Sequence, residues 1–86
     1  MYKVKLHKKS QKFLEKINKN DATRIIRKLE ILSKNPLSKN LDIKKLEGCF
    51  PDSYRLRVGE IRVIYEIIND LEVIYIHDID FRGNIY

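Results

Sequence analysis

The chain has 86 residues, 43% of them apolar and 35% charged, with a formal net charge of +6. Only 3 glycines and 2 prolines are present, which excludes collagen-like and low-complexity disordered classes, and the length predicts one domain over residues 1–86 around one small core. No apolar run approaches the roughly 20 residues that cross a bilayer, and a lone Cys49 excludes an internal disulfide and any zinc-ligand spacing, so the chain reads as a cytoplasmic protein without membrane, metal or cofactor.

From the start, residues 2–6 alternate polar and apolar and predict a short strand. Ser10 is a candidate N-cap for a helix running to about Ile17, with Phe13, Leu14 and Ile17 inward. Asp21 is a candidate N-cap for a second helix, in which Ile25, Ile26, Leu29 and Leu32 recur at helical spacing until the Asn35-Pro36 pair stops it. The two helices predict a hairpin with a lysine-rich outer face. Residues 34–45 read as a polar connection that brings Lys44 and Lys45 just ahead of a turn at Gly48.

From Ser53 the period changes to two, in the runs YRLRV, IRVIYEII and LEVIYIHDI, which predicts a three-stranded antiparallel meander. Gly59-Glu60 suits a two-residue type II′ turn, whose register sets Val58 opposite Ile61 and Arg57 opposite Arg62, with Arg55 on the arginine side. Leu56, Val58, Ile61, Val63 and Tyr65 then line the core side. A second two-residue turn at Asn69-Asp70 would add Tyr75 and His77 to the arginine side, and Ile74 and Ile76 to the core. Like charges opposite one another destabilise a sheet, so the Arg57/Arg62 pair implies a ligand that neutralises it. The fold class expected is α+β: an N-terminal strand and a two-helix hairpin packed on one face of a small antiparallel sheet.

The charges are unevenly spread. Residues 1–45 hold 14 basic and 4 acidic side chains, whereas residues 46–86 hold 4 basic and 8 acidic ones. Twelve of the first 14 are Lys, yet the last four are all Arg: Arg55, Arg57, Arg62 and Arg82. Lysine is a hydrated point charge that supplies a long-range field, whereas guanidinium forks onto phosphate oxygens and stays charged. Converging arginines could hold a phosphodiester and stabilise the charge that develops during internal attack on phosphorus. Cutting RNA without a metal further needs a proton acceptor and a proton donor, which arginine cannot supply. Tyr86 near Arg82, His77 near neutral pH, and Lys45 are the candidates. No Gly-rich phosphate loop and no Ser/His/Asp or Cys/His order is present, which leaves other hydrolase chemistries unsupported.

The segments KKLEG, YRLRVGEIRVIYEI and FRGNIY, over residues 44–86, resemble the RelE/ParE toxin superfamily. The run Tyr-Arg-x-Arg-x-Gly-x-x-Arg at 54–62 is the most specific part. The resemblance implies a toxin of a type II toxin–antitoxin pair: a ribosome-dependent endoribonuclease that cuts mRNA in the A site by metal-independent 2′-hydroxyl attack, and whose operator DNA contact runs through a cognate antitoxin. By position it implies Arg57, Arg62, Arg82 and Tyr86 as catalytic and Arg55 as a contact to RNA, to which the placement of Lys44, Lys45 and His77 in the sequence adds three further candidates for binding RNA. Two positions depart from well-known relatives. Arg55 and Arg57 stand where some relatives have lysines, one of them assigned as the base, and Phe81 stands where many place a histidine. Gyrase-poisoning ParE members carry a similar run, so a toxin without nuclease activity, or a degenerate antitoxin-binding module, are the alternatives.

Overall fold

The structure is a computed structural model that describes residues 1–46 and 53–81. The elements in chain order are β1 (Lys3–Leu6), α1 (Lys8–Lys16), α2 (Lys19–Lys34), β2 (Asp42–Lys45), β3 (Ser53–Val58), β4 (Ile61–Ile68) and β5 (Val73–Phe81). The strands form a five-stranded sheet in the order β1-β5-β4-β3-β2. The class is α+β, as expected. The sheet is mixed rather than wholly antiparallel, because β1 runs parallel to β5 while β2 to β5 form an antiparallel series. A parallel neighbour requires a long crossover, and here everything between β1 and β5 serves as one. β2 replaces the end of the connection read from sequence; with Ile43 half-buried and its neighbours exposed, the pattern is too short to announce a strand.

Both helices begin earlier than the sequence suggests. His7, in extended backbone, caps α1 by accepting from the Lys9 amide on Nδ1 at 3.0 Å. Ser10 lies inside the helix, where its buried hydroxyl donates to the Ile76 carbonyl at 3.4 Å. Asn18 caps α2, its Oδ1 accepting from the Asp21 amide at 2.9 Å while its Nδ2 donates to Asp21 Oδ2 at 3.0 Å. Asp21 therefore occupies the third helical position of a reciprocal cap rather than the cap itself. The stop at Asn35-Pro36 is as expected.

Ile25, Leu29 and Leu32 of α2 pack with Leu56, Val58, Ile61, Val63, Tyr65, Ile67, Ile74, Ile76 and Ile79 on one side of the sheet. Phe13 and Leu14 of α1, and Ile17 just past its end, pack against that cluster. Ile26, expected inward, is 47% exposed, since the 25-29-32 stripe leaves position 26 a quarter turn round the helix. The phenol of Tyr65 donates to the Pro36 carbonyl at 2.8 Å and its ring stacks on Tyr54 at 5.6 Å, tying the sheet to the end of α2.

The register of the meander is the predicted one: Val58 opposite Ile61 and Arg57 opposite Arg62. Gly59 has φ of 61° and Glu60 is not in the positive-φ region, the signature of a type II′ turn. The next connection has four residues, Asn69 to Glu72, closed by Glu72 in the left-handed region at φ 52° and pairing Ile68 with Val73. It is two residues longer than expected. Because side chains alternate with period two, a two-residue change leaves every face assignment intact. Ile74 and Ile76 are accordingly buried, and Tyr75 stands across from Glu66 on the arginine side. A bulge follows, with Ile64 opposite Asp78 but Tyr65 opposite Ile76, which makes His77 the extra residue and returns Ile79 to the core.

Candidate nucleic-acid interface

The helices send their apolar side chains to one face of the sheet. Strand alternation puts the polar set on the other face, in rows that cross the strands. The row nearest the β3–β4 hairpin is Asp42, Arg57, Arg62 and Asp80. The next is Lys44, Arg55, Ile64 and Asp78. Beyond it come Ser53, Glu66, Tyr75 and Lys5, contributed by β3, β4, β5 and β1.

Arg55, Arg57, Arg62 and Lys44 are therefore brought together on one face. Lys45 is not among them: it pairs with Tyr54, a residue that packs on the core, and so lies on the helix side of the sheet edge. Arg82 and Tyr86 lie outside the described residues, as do Gly48 and Cys49. Arg55 stands opposite Ile64, which is 9% exposed, and the Arg55 Nε is buried without a hydrogen-bond partner among the described residues. A buried guanidinium donor of this kind favours any anion that reaches it.

The arginine pair does not by itself demand a ligand. Asp42 Oδ2 lies 3.8 Å from Arg57 Nη1, and Asp80 stands opposite Arg62 across β4 and β5. The protein thus supplies two carboxylates that offset the repulsion across the Arg57/Arg62 pair. Sequence reasoning missed this because Asp42 lay in a segment read as a connection, so no register could be assigned to it.

His77 joins the same side of the sheet at the bulge. Its Nε2 is 2.8 Å from Glu66 Oε1, and its ring meets Tyr75 edge-on at 4.7 Å. His7 approaches the other end of Tyr75 at 6.5 Å. Glu66 was legible in the alternating IRVIYEII run as an outward position, but nothing in the sequence connected it with His77, since the bulge that sets their approach leaves no periodic mark. Among the described residues the one strongly displaced titration is elsewhere. Burial, with Tyr54 adding a smaller effect, pushes the Tyr65 phenol well above its ordinary range. Tyr65 is a structural phenol on the core side and stays protonated at any working pH.

Comparison with known proteins places this geometry in context. Residues 4–86 match the model of a family described as the ParE toxin of the type II toxin–antitoxin system parDE. The chain is 33% identical over 86 residues to a protein named as toxin RelE1 of Methanocaldococcus jannaschii, covering 99% of this chain and 94% of the relative. It superimposes on the toxin of an archaeal RelE–RelB complex from Pyrococcus horikoshii with a TM-score of 0.84 at 36% identity, covering 96% of this chain and 97% of that one. The intact Escherichia coli RelBE toxin–antitoxin complex matches with a TM-score of 0.81 at 19% identity, over 98% of this chain and 99% of that one, a likeness of fold.

Proposed function

The chain belongs to the RelE/ParE superfamily and is a toxin of the type II toxin–antitoxin class, and from that premise we propose that it is a ribosome-dependent endoribonuclease that cuts mRNA in the A site. The observation that carries this reading is the gathering of Arg55, Arg57, Arg62 and Lys44 on a single sheet face. In the proposed reaction the guanidinium groups of Arg57 and Arg62 hold the scissile phosphate. Their fixed charge stabilises the extra negative charge that builds as the 2′-hydroxyl attacks phosphorus. Arg82 joins them from the tail, and Tyr86 stacks on or exchanges a proton with the substrate nucleotide. Lys44 and Arg55 extend the phosphate track, and the helix lysines steer the protein to ribosomal RNA in the cytoplasm. A cognate antitoxin, as in the P. horikoshii and E. coli complexes, is the partner that silences it and links it to operator DNA.

The test is cleavage of mRNA on programmed ribosomes with an empty A site. Wild-type protein should cut within the A-site codon. Arg62→Ala should lower the rate by about 10²–10³-fold, the usual loss when one preorganised charge-stabilising donor is removed, and Tyr86→Ala reports whether that phenol carries chemistry. A second reading is favoured by the match of residues 4–86 to the ParE toxin family: poisoning of DNA gyrase with no nuclease step. Ribosomes left uncut, together with DNA-damage signalling in cells, would select it.

A further inference from the structure

Glu66, Tyr75 and His77 stand on the arginine face but are not used by the phosphate chemistry above. Glu66 follows Arg62 by four residues on the same strand and face, roughly 13 Å along β4 at the usual rise. That is too far to share one phosphate and suits the neighbouring nucleotide of a strand crossing the face. The Glu66 carboxylate is one-quarter exposed and held in place by His77, whose Nε2 meets Oε1 at 2.8 Å. Oε2 makes no hydrogen bond among the described residues. Half-buried Tyr75 stands directly across from Glu66, with its ring edge-on to His77 at 4.7 Å and an exposed Lys5 on its other side. The groups that surround the cluster are His7 at the start of α1, Lys5 on β1, Asp78 on β5 and Arg55 on β3, diagonal to Glu66.

We infer that Glu66, Tyr75 and His77 form a base-reading subsite that selects guanine on the bound RNA strand. This rests on the proposed RNA-cutting function and deepens it. An ionised carboxylate only accepts hydrogen bonds. Guanine alone presents two adjacent donors, N1–H and the N2 amine, on its Watson–Crick edge; adenine and cytosine place an acceptor beside their amine, and uracil flanks its one N–H with two carbonyls. The carboxylate therefore rewards guanine and repels the others. Single-stranded RNA is read in this manner, by splayed bases that stack on aromatic rings and hydrogen-bond along their edges. Tyr75 provides the aromatic surface and Lys5 a cation for the adjoining phosphate. His77 is a positioning residue: its bond to Oε1 fixes the carboxylate plane, and the bulge at Ile64/Tyr65 is what aims it there.

The experiment is the codon profile of cleavage on programmed ribosomes, using a message library that varies each A-site position, for wild type and Glu66→Gln. Wild type should favour guanine at one position by roughly tenfold, the discrimination expected of one good bidentate contact. Glu66→Gln keeps the shape and the contact to His77 but offers one donor beside one acceptor, a pair that the edge of every base can meet, so its guanine preference should be lost. A wild type that cuts with no guanine preference, or a Glu66→Gln profile unchanged from wild type, overturns the subsite and leaves the nuclease reading standing. A wild type that never cuts removes both. Thermal melting of the variant separates a change of preference from loss of fold.

Discussion

Arg57 carries two neighbours of opposite meaning, Arg62 across β4 and Asp42 across β2. In the free protein Asp42 holds the guanidinium at 3.8 Å; a phosphate must compete with it. Asp42→Asn removes that competitor, so RNA binding measured by fluorescence anisotropy should tighten a few-fold. Stability should change by less than about 1 kcal/mol, as expected for a solvent-exposed ion pair. Tyr65 behaves differently, because its burial acts on stability rather than binding. Its folded-state titration lies above its unfolded one near pH 10, so the stability it contributes is complete below about pH 10 and is lost as pH rises beyond that value. Tyr65→Phe should cost about 1 kcal/mol at neutral pH through the lost bond to the Pro36 carbonyl. It should also flatten the alkaline limb of a stability-against-pH curve measured by urea unfolding.

The β3–β4 hairpin shows how one backbone position sets a whole face. Gly59 is held at φ 61°, and a Cβ placed there would come within 2.8 Å of the Arg24 guanidinium. Gly59→Ala should therefore destabilise the fold by about 1–2 kcal/mol in denaturant titration, mostly from the left-handed backbone, since Arg24 is a flexible surface chain that can move. Because the same turn sets Arg57 against Arg62, the variant should lose cleavage beyond what its stability loss explains. This hairpin was fully legible in the sequence: a Gly at the first turn position and clean alternation on both sides leave one register. The second connection was legible only in parity, since Asn69-Asp70 names a turn without naming its length. The helix starts were displaced because His7 and Asn18 supply the caps in place of the serine and aspartate that follow them. The Glu66–His77 approach could not be read at all, as it depends on a bulge that adds a residue without altering composition. β2 was hidden for a related reason, its one half-buried residue giving too little period to count.

Across the whole molecule, the lysines of the first half and the arginines of the second act over different distances. Lys9, Lys12 and Lys16 recur along α1, where Lys9 also reaches Asp78 at 3.4 Å. A Lys12→Gln, Lys16→Gln variant should associate with ribosomes more slowly at low salt, with the difference from wild type vanishing as screening shortens the field, and with the cleavage position unchanged. Stopped-flow association at several ionic strengths measures this. The placement of β1 has one more outcome, concerning synthesis. β1 is the first strand made, yet its only neighbour in the sheet is β5, the last strand described, and Lys5 waits for Tyr75 70 positions later. Until β5 leaves the ribosome, β1 has nothing to pair with, β4 has one bare edge, and Ile74, Ile76 and Ile79 are missing from the interior. On the proposed function a nascent chain should therefore be harmless to the machine that makes it: Tyr75 and His77 reach the arginine face only when β5 slots between β1 and β4, so a copy cut short before β5 should neither bind RNA nor act as a weak toxin.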